Sequence, residues 1–155
     1  MKVGWKKLLA SIAMPFAAGA VGSYFTFSQI ASWYATLSKP FFSPPNWLFA
    51  PVWTILYLLI GISFYIFWTS KYKKKKLGYC AFSAQIALNA LWSFAFFGAQ
   101  SPLLGLAVIV PLWASILLMI LEFRKADRCA GNLLVPYLLW VSFATLLNAA
   151  IFILN

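Results

Sequence analysis

Five long apolar segments constrain this chain more than any other feature of its sequence. They cover roughly residues 8–27, 46–68, 79–98, 103–121 and 133–154, and none of them contains Asp, Glu, Lys or Arg. A helix needs about 20 apolar residues to cross a bilayer, and a charge at its centre costs about 2.5–3.5 kcal/mol even on lenient scales. Since 64% of the residues are hydrophobic and 9% charged, we predict an all-α membrane protein. Residues 1–155 should form a single five-transmembrane-helix bundle with no soluble domain.

The net charge of +10 has a clear distribution once the cations are placed between these segments. Three groups lie on one face of a five-span bundle, namely Lys2, Lys6 and Lys7, then Lys71, Lys73, Lys74, Lys75 and Lys76, then Arg124, Lys125 and Arg128. Only Lys39 falls on the other face. The positive-inside rule therefore predicts a cytoplasmic N-terminus, with the 28–45 loop and Asn155 outside. The charge indicates topology and attraction to anionic headgroups, and no nucleic-acid partner is expected.

The N-terminus has an alternative interpretation as a secretory signal. Its lysines precede an apolar run, and Ala18-Gly19-Ala20 resembles a cleavage site. Because the apolar run continues through Phe27, we favour a retained span.

Residues for conventional catalysis are scarce in the sequence. There is no histidine, and the only acids, Glu122 and Asp127, flank a basic loop, where we expect solvated surface charges. Cys80 and Cys129 fall near the inner face, where thiols usually stay reduced. We therefore expect no metal site, no disulfide, and no hydrolytic or hydride-transfer machinery.

The stretch from Lys39 to Tyr57 is dense in proline and tryptophan at the start of the second span. Proline removes a backbone donor and restricts the preceding residue. Tryptophan prefers the membrane interface or a pocket that accepts its N–H. We interpret residues 28–45 as an ordered lid above a cavity.

Helical spacing predicts which side chains face that cavity. Trp53 and Trp140 lie about two turns inside proline-marked segments, deeper than tryptophans of an interfacial belt. With Asn89 and Ala144 they would line a flat, mostly apolar slot suited to a planar aromatic ligand. For Gln85, Asn148 and Trp68 we favour a structural role, as interhelical hydrogen-bonding or packing residues. The small pairs Ala18/Gly22 and Gly19/Ser23 predict close helix packing of the first span.

Motifs along nearly the whole chain are similar to those of the TspO/MBR family, the translocator proteins also called peripheral-type benzodiazepine receptors. They are Gly22-Ser23, Trp33-Tyr34-Ala35, Lys39-Pro40, Pro44-Pro45-x-Trp47, Pro51-Val52-Trp53-x-x-Leu56-Tyr57, Gly61, Ala87-Leu88-Asn89-x-x-Trp92, Phe96-Phe97-Gly98-Ala99 and Pro136-Tyr137-x-x-Trp140-x-x-Phe143-Ala144-Thr145-x-Leu147-Asn148. One departure is the end of the fifth span, which lacks the Tyr and following base of the cholesterol-recognition pattern of animal members. Steroid handling is therefore not expected, and the absence of a basic tail suggests a bacterial member.

The resemblance implies a homodimer of five-helix subunits, each with a ligand pocket closed by the loop between spans one and two. Its ligands would be porphyrins, such as protoporphyrin IX or haem, and isoquinoline- or benzodiazepine-type molecules, with no obligatory cofactor. The residues carried over by position are Trp53, Asn89, Trp92, Trp140, Ala144 and Leu147, with Tyr34, Pro44 and Phe49 on the lid side.

Three functions remain open from the sequence. The first is a tetrapyrrole sensor or scavenger in the bacterial plasma membrane. The second is light-dependent porphyrin breakdown, to which the family has been linked, with Trp53 and Trp140 as electron donors. The third is passive transport, because no residue for energy coupling is visible at membrane depth.

Overall fold

The computed structural model describes residues 4–155, so Lys2 lies outside the described residues. Within this range the chain is helical and contains no strand. The α-helices are α1 (Trp5–Ile30), α2 (Trp33–Thr36), α3 (Phe49–Thr69), α4 (Lys76–Ser93), α5 (Pro102–Ala126), α6 (Arg128–Asn132) and α7 (Val135–Leu154). Five helical segments are long and apolar enough to cross a membrane, formed by α1, α3, α4, α5 and the α6–α7 pair. The predicted five-helix, all-α architecture is confirmed.

α1 and α5 are longer than the corresponding apolar segments of the sequence, and the connection after α1 is partly helical. α1 continues to Ile30, three residues beyond the predicted end of the first span. The short helix α2 follows, and a 3₁₀ turn at Asn46–Leu48 leads into α3. α4 continues through a π-helical turn at Phe94–Gly98. The structure shifts the lid predicted at residues 28–45 to residues 31–48, which we call the lid from here on, and we call the end of the bundle that carries it the lid end.

The helices surround a common centre in the order α3, α1, α4, α5, α7, as their main packing partners indicate. The opposite end of the bundle carries the 70–75 loop, α6 and the start of α1, and we call it the basic end. Large aromatic and aliphatic side chains fill the bundle there. Phe67 stacks on Phe123 with centroids 4.0 Å apart, and Phe64 stacks on Phe82 at 3.8 Å. These rings fill the centre of the basic half, and a cavity lies towards the lid.

Close contact between α1 and α3 in the basic half depends on Gly61. A Cβ atom at this position would lie 2.7 Å from the Cα of Ile12 and 3.0 Å from the carbonyl oxygen of Ser11. Small residues at helix crossings permit this backbone approach within a membrane. Gly61 therefore fixes the distance between the two helices below the cavity.

Glu122 differs from its sequence-based prediction as a solvated surface charge. Its side chain is buried, with 4% of the residue exposed, and forms an ion pair with Lys125 one turn later. The prediction was wrong because α5 extends beyond the apolar segment and turns this position towards the bundle. Asp127 is exposed, and its carboxylate caps α6 by accepting hydrogen bonds from the backbone N–H groups of Cys129 and Ala130.

Two lysines organise the basic end around Trp68. The Lys75 ammonium donates hydrogen bonds to the carbonyl oxygens of Trp68 and Ser70, at 2.7 and 2.6 Å. The Lys7 ammonium lies 5.3 Å from the centre of the Trp68 ring. Partial burial and the nearby charge of Lys7 lower the pKa of Lys75 below its usual range. Trp68 is thus part of the packing at this end, as expected.

Candidate functional site

A cavity of about 410 Å³ lies beneath the lid, within the range of about 300–1,000 Å³ typical of small-molecule sites. It is enclosed by α1, α3, α4 and α7 in the half of the bundle nearest the lid. The lining residues are Phe16, Gly19, Ala20, Gly22, Ser23, Thr26, Phe27, Ile30, Tyr34, Asn46, Phe49, Ala50, Trp53, Thr54, Tyr57, Asn89, Trp92, Ser93, Phe97, Trp140 and Ala144. No Asp, Glu, Lys, Arg or Cys is among them, so the lining is apolar with a few neutral polar groups.

Most residues predicted for the site are brought together here. The cavity wall includes Tyr34, Phe49, Trp53, Asn89, Trp92, Trp140 and Ala144. Pro44 and Leu147 do not line it. Leu147 is buried in a cluster with Tyr34 and Phe97, since its position on α7 faces the lid helix and the π-helical turn. Pro44 precedes the 3₁₀ turn, and Asn46 is the residue of that turn that reaches the cavity.

The contribution of α1 was missed by sequence reasoning. Gly19, Gly22 and Ser23 were interpreted as helix-packing residues, yet each lines the cavity. The two roles coincide, because a Cβ on Gly19 would clash with the Tyr57 ring and one on Gly22 would lie 2.8 Å from the Ser93 hydroxyl. The small residues bring α1 close to its neighbours and leave space beside them. Their spacing was the available signal, but it does not distinguish packing from a cavity wall.

Contacts between aromatic rings fix the positions of Trp53 and Trp140 in the cavity wall. Trp53 stacks on Tyr57 with centroids 5.3 Å apart and planes inclined by 30°. Trp140, on α7, contacts Phe49 edge-on with ring centroids 6.0 Å apart. Trp92 is fixed differently, because its indole N–H donates a hydrogen bond of 3.2 Å to Asn148 Oδ1. Asn148 also donates to the carbonyl oxygen of Pro102 at 2.8 Å, which confirms its predicted role between helices.

A chain of hydrogen bonds leads from the cavity into the core. The Tyr57 hydroxyl donates to Asn89 Oδ1, Asn89 Nδ2 donates to the Tyr137 oxygen, and the Tyr137 hydroxyl donates to Gln85 Oε1, each at 3.1 Å. Gln85 is 1% exposed, and its Nε2 has no hydrogen-bond partner among the described residues. Of the four residues joined by these hydrogen bonds, only Tyr57 and Asn89 line the cavity. The site therefore has one polar edge, supported from behind by two buried side chains.

The lid is attached to the bundle by aromatic and polar contacts. The Tyr34 ring packs against Phe97 with centroids 5.6 Å apart, and the Lys39 ammonium lies 4.7 Å from the centre of the Tyr34 ring. Burial raises the pKa of the Tyr34 phenol above its ordinary value, so the hydroxyl stays neutral at physiological pH. The Ser38 backbone N–H donates to Asn155 Oδ1 at 2.9 Å, and Asn155 Nδ2 donates to the Ser38 carbonyl oxygen at 3.0 Å.

The cavity is open on one side, between the lid-end halves of α1 and α3. Several of its lining residues are also exposed on the outer surface of the bundle, namely Phe16, Ala20, Phe27, Ala50 and Thr54. Because these positions belong to apolar helices of membrane-spanning length, the opening faces the region that lipid would occupy. A ligand can therefore reach the site from the bilayer without passing the lid.

This arrangement suits binding better than conventional catalysis. No group of three or more His, Cys, Asp or Glu residues that could hold a metal ion occurs between residues 4 and 155. The cavity supplies flat apolar walls and a hydroxyl–amide edge, which together orient a planar molecule with a polar rim.

Comparison with known proteins agrees with these features. A sequence model of the TspO/MBR family matches residues 11–154. The chain is 47% identical to the tryptophan-rich protein TspO of Archaeoglobus fulgidus, over 96% of this chain and 97% of that protein. It is 33% identical to the tryptophan-rich sensory protein of Cereibacter sphaeroides, covering 96% and 90% of the two chains. It is 31% identical to the human translocator protein, covering 93% and 87%. This integral membrane protein belongs to the TspO/MBR family.

Proposed function

We propose that this protein is a membrane-embedded binding protein for porphyrins and for isoquinoline- or benzodiazepine-type ligands, acting as a tetrapyrrole sensor or scavenger. The observation that carries the proposal is the cavity beneath the lid, with Trp53 and Trp140 in its walls and Asn89 at its polar edge. Indole faces favour flat aromatic molecules, and a few polar groups fix the orientation of such a ligand. The names of the relatives, which include a sensory protein and a translocator protein, are compatible with this role.

The test is the quenching of porphyrin fluorescence by the purified protein in detergent. We expect the double variant Trp53→Ala/Trp140→Ala to bind protoporphyrin IX at least about tenfold more weakly, since truncating buried aromatic contacts costs several kcal/mol. A matched control is Trp5→Ala/Trp47→Ala, which removes two indoles that are 67% and 71% exposed. Unchanged affinity in the Trp53/Trp140 double variant would refute the proposal.

A second candidate function is light-dependent breakdown of the bound porphyrin, with dioxygen as the oxidant. The stacking of Trp53 on Tyr57 favours it, because adjacent aromatic rings can supply and share an electron that the excited macrocycle withdraws. We expect illuminated protoporphyrin IX to lose absorbance in the presence of protein and oxygen. Trp53→Phe should slow the loss and leave binding largely intact. A rate equal to that of free porphyrin in the same detergent would exclude this activity.

Passive movement of a hydrophobic ligand is a third candidate, supported by the opening between α1 and α3. The described part of the cavity lining contains no charged residue to couple transport to a gradient. A flux measurement in liposomes, with and without an ion gradient, separates passive movement from binding alone.

The proposal extends to the state of the protein in the cell. It would be a homodimer in the bacterial plasma membrane, with its N-terminus in the cytoplasm and Asn155 outside. The distribution of cations supports this orientation, because Lys39 is the only cation assigned to the lid end.

A further inference from the structure

The hydrogen-bond chain that ends at Gln85 has one unused donor. Gln85 Nε2 is buried and has no acceptor among the described residues. A buried N–H without a partner is rare and carries an energetic penalty. The hydrogen-bond chain therefore has an unsatisfied donor at its inner end. Its outer end, Tyr57, lies in the wall of the cavity.

The chain can also run in the opposite direction. Rotating the amides of Gln85 and Asn89 about their last torsion exchanges nitrogen and oxygen, which are nearly equal in size and geometry. Gln85 Nε2 would then donate to Tyr137, the Tyr137 hydroxyl to Asn89 Oδ1, and Asn89 Nδ2 to the Tyr57 oxygen. The three donor–acceptor separations of 3.1 Å serve both directions without moving the polypeptide backbone.

The two directions present different groups to the cavity. In the present direction the Tyr57 hydrogen is used by Asn89, so a lone pair of the hydroxyl is available to a ligand that donates. In the reversed direction the oxygen accepts from Asn89, and the hydroxyl hydrogen is available to a ligand that accepts. Each direction leaves one Gln85 atom without a partner, Nε2 in the first and Oε1 in the second. Because three hydrogen bonds form in either direction, a ligand at Tyr57 can determine which one is occupied.

We infer that Gln85, Tyr137 and Asn89 form a reversible relay, which lets Tyr57 match either a donor or an acceptor on the edge of a planar ligand. The inference rests on the proposed binding role of the cavity. Gln85 is a positioning residue here, since it does not line the cavity and acts through Tyr137 and Asn89. The ligand class follows from the relay. It includes planar molecules with a ring N–H, such as a free-base pyrrole, and planar molecules with a carbonyl.

The test uses three planar tricyclic probes of nearly equal shape: carbazole carries an N–H donor, fluorenone a carbonyl acceptor, and fluorene neither. We expect the unmodified protein in detergent to bind both carbazole and fluorenone about threefold to tenfold more tightly than fluorene, as for one hydrogen bond. Isothermal titration calorimetry measures the three affinities. Equal affinity for all three probes would overturn the relay, whereas failure of all three to bind would count against the proposed function itself.

The variant Gln85→Met separates the relay from a purely structural role. It keeps the length of the side chain but gives Tyr137 no strong acceptor, so the Tyr137 hydroxyl must donate to Asn89 and the reversed direction is fixed. Carbazole should lose its advantage over fluorene, while fluorenone keeps its own. Equal changes in carbazole and fluorenone affinity, or no change in either, would refute the inference.

A second variant keeps the test decisive if Gln85→Met does not fold. Tyr57→Phe removes the group that the relay presents to the cavity. It should abolish the advantage of both polar probes and retain fluorene binding, which also serves as the measure of an intact site. Retained preference for either carbazole or fluorenone in Tyr57→Phe would overturn the relay.

Discussion

Ala144 leaves space in the cavity on the α7 side, because a larger side chain at this lining position would fill part of it. We expect Ala144→Phe to weaken binding of protoporphyrin IX by at least about tenfold, since the new ring and the ligand cannot share the site. Fluorescence quenching measures the affinity. Leu146→Phe is the control, because Leu146 lies on the same helix and is 65% exposed. Equal affinities for both variants would show that the ligand binds elsewhere.

Single residues could be assigned to the site from the sequence only where chemistry and spacing agreed. Asn89 is costly to expose to lipid, Trp53 and Trp140 lie deeper than an interfacial belt, and helical spacing directs all three to one place. Gly19 carries no such signal, because a missing side chain fits a helix crossing and a cavity wall equally well. Gln85 was recognised as an interior residue. Its unpaired Nε2 depends on the positions of Tyr137 and Asn89, which are known only from the fold.

At the scale of elements, the lid is connected to the end of α7 through Asn155. The two hydrogen bonds between its amide and the Ser38 backbone join residues far apart in sequence. We expect Asn155→Ala to raise the dissociation rate of protoporphyrin IX about threefold to tenfold, as the lid loses contacts worth about 0.5–1.5 kcal/mol each. Stopped-flow fluorescence measures this rate. Ile153→Ala, on an exposed face of the same turn, should leave it unchanged, and an equal effect of both variants would contradict a role for the lid contact.

The crossing of α1 and α3 leads to a prediction about stability. Gly61→Ala places a methyl group against the backbone of Ile12, so the helices must separate. We expect this to cost about 1–3 kcal/mol, a typical penalty for overpacking. Thermal unfolding in detergent should show a lower midpoint for Gly61→Ala than for Ile55→Ala, a control on the lipid-facing side of α3 that is 59% exposed in the unmodified protein. Similar midpoints would mean that α1 adapts without loss of stability.

Elements differed in how well they could be predicted, for a physical reason. A membrane span is specified by the length and composition of one segment, so the existence of the five long helices was clear from the sequence. The short helix Trp33–Thr36 and the π-helical turn at Phe94–Gly98 depend on contacts between segments. The Trp33 ring packs against Phe96, with centroids 5.5 Å apart, and this docking has no local pattern. The lid was therefore predicted as a loop, while its fold follows from the bundle beneath it.

For the whole molecule, the asymmetry of charge predicts how the bundle lies in the membrane. The basic end carries every cation of the described chain except Lys39. Moving so many cations across the membrane is unfavourable, so the positive-inside rule predicts a cytoplasmic basic end. The lid would then face outwards, and the opening of the cavity between α1 and α3 would lie in the outer half of the bilayer. Such an orientation exposes the site to ligands in the outer leaflet.

Single cysteines test this orientation in intact cells after Cys80 and Cys129, both free and exposed, have been replaced by serine. Phe41→Cys marks the lid at a fully exposed position, and Lys73→Cys marks the exposed loop at the basic end. We expect a membrane-impermeant maleimide to label Phe41→Cys in intact cells and Lys73→Cys only after permeabilisation. Labelling of both after permeabilisation is the control for reactivity. The reverse pattern in intact cells would place the lid in the cytoplasm, so that ligands would reach the cavity from the inner leaflet.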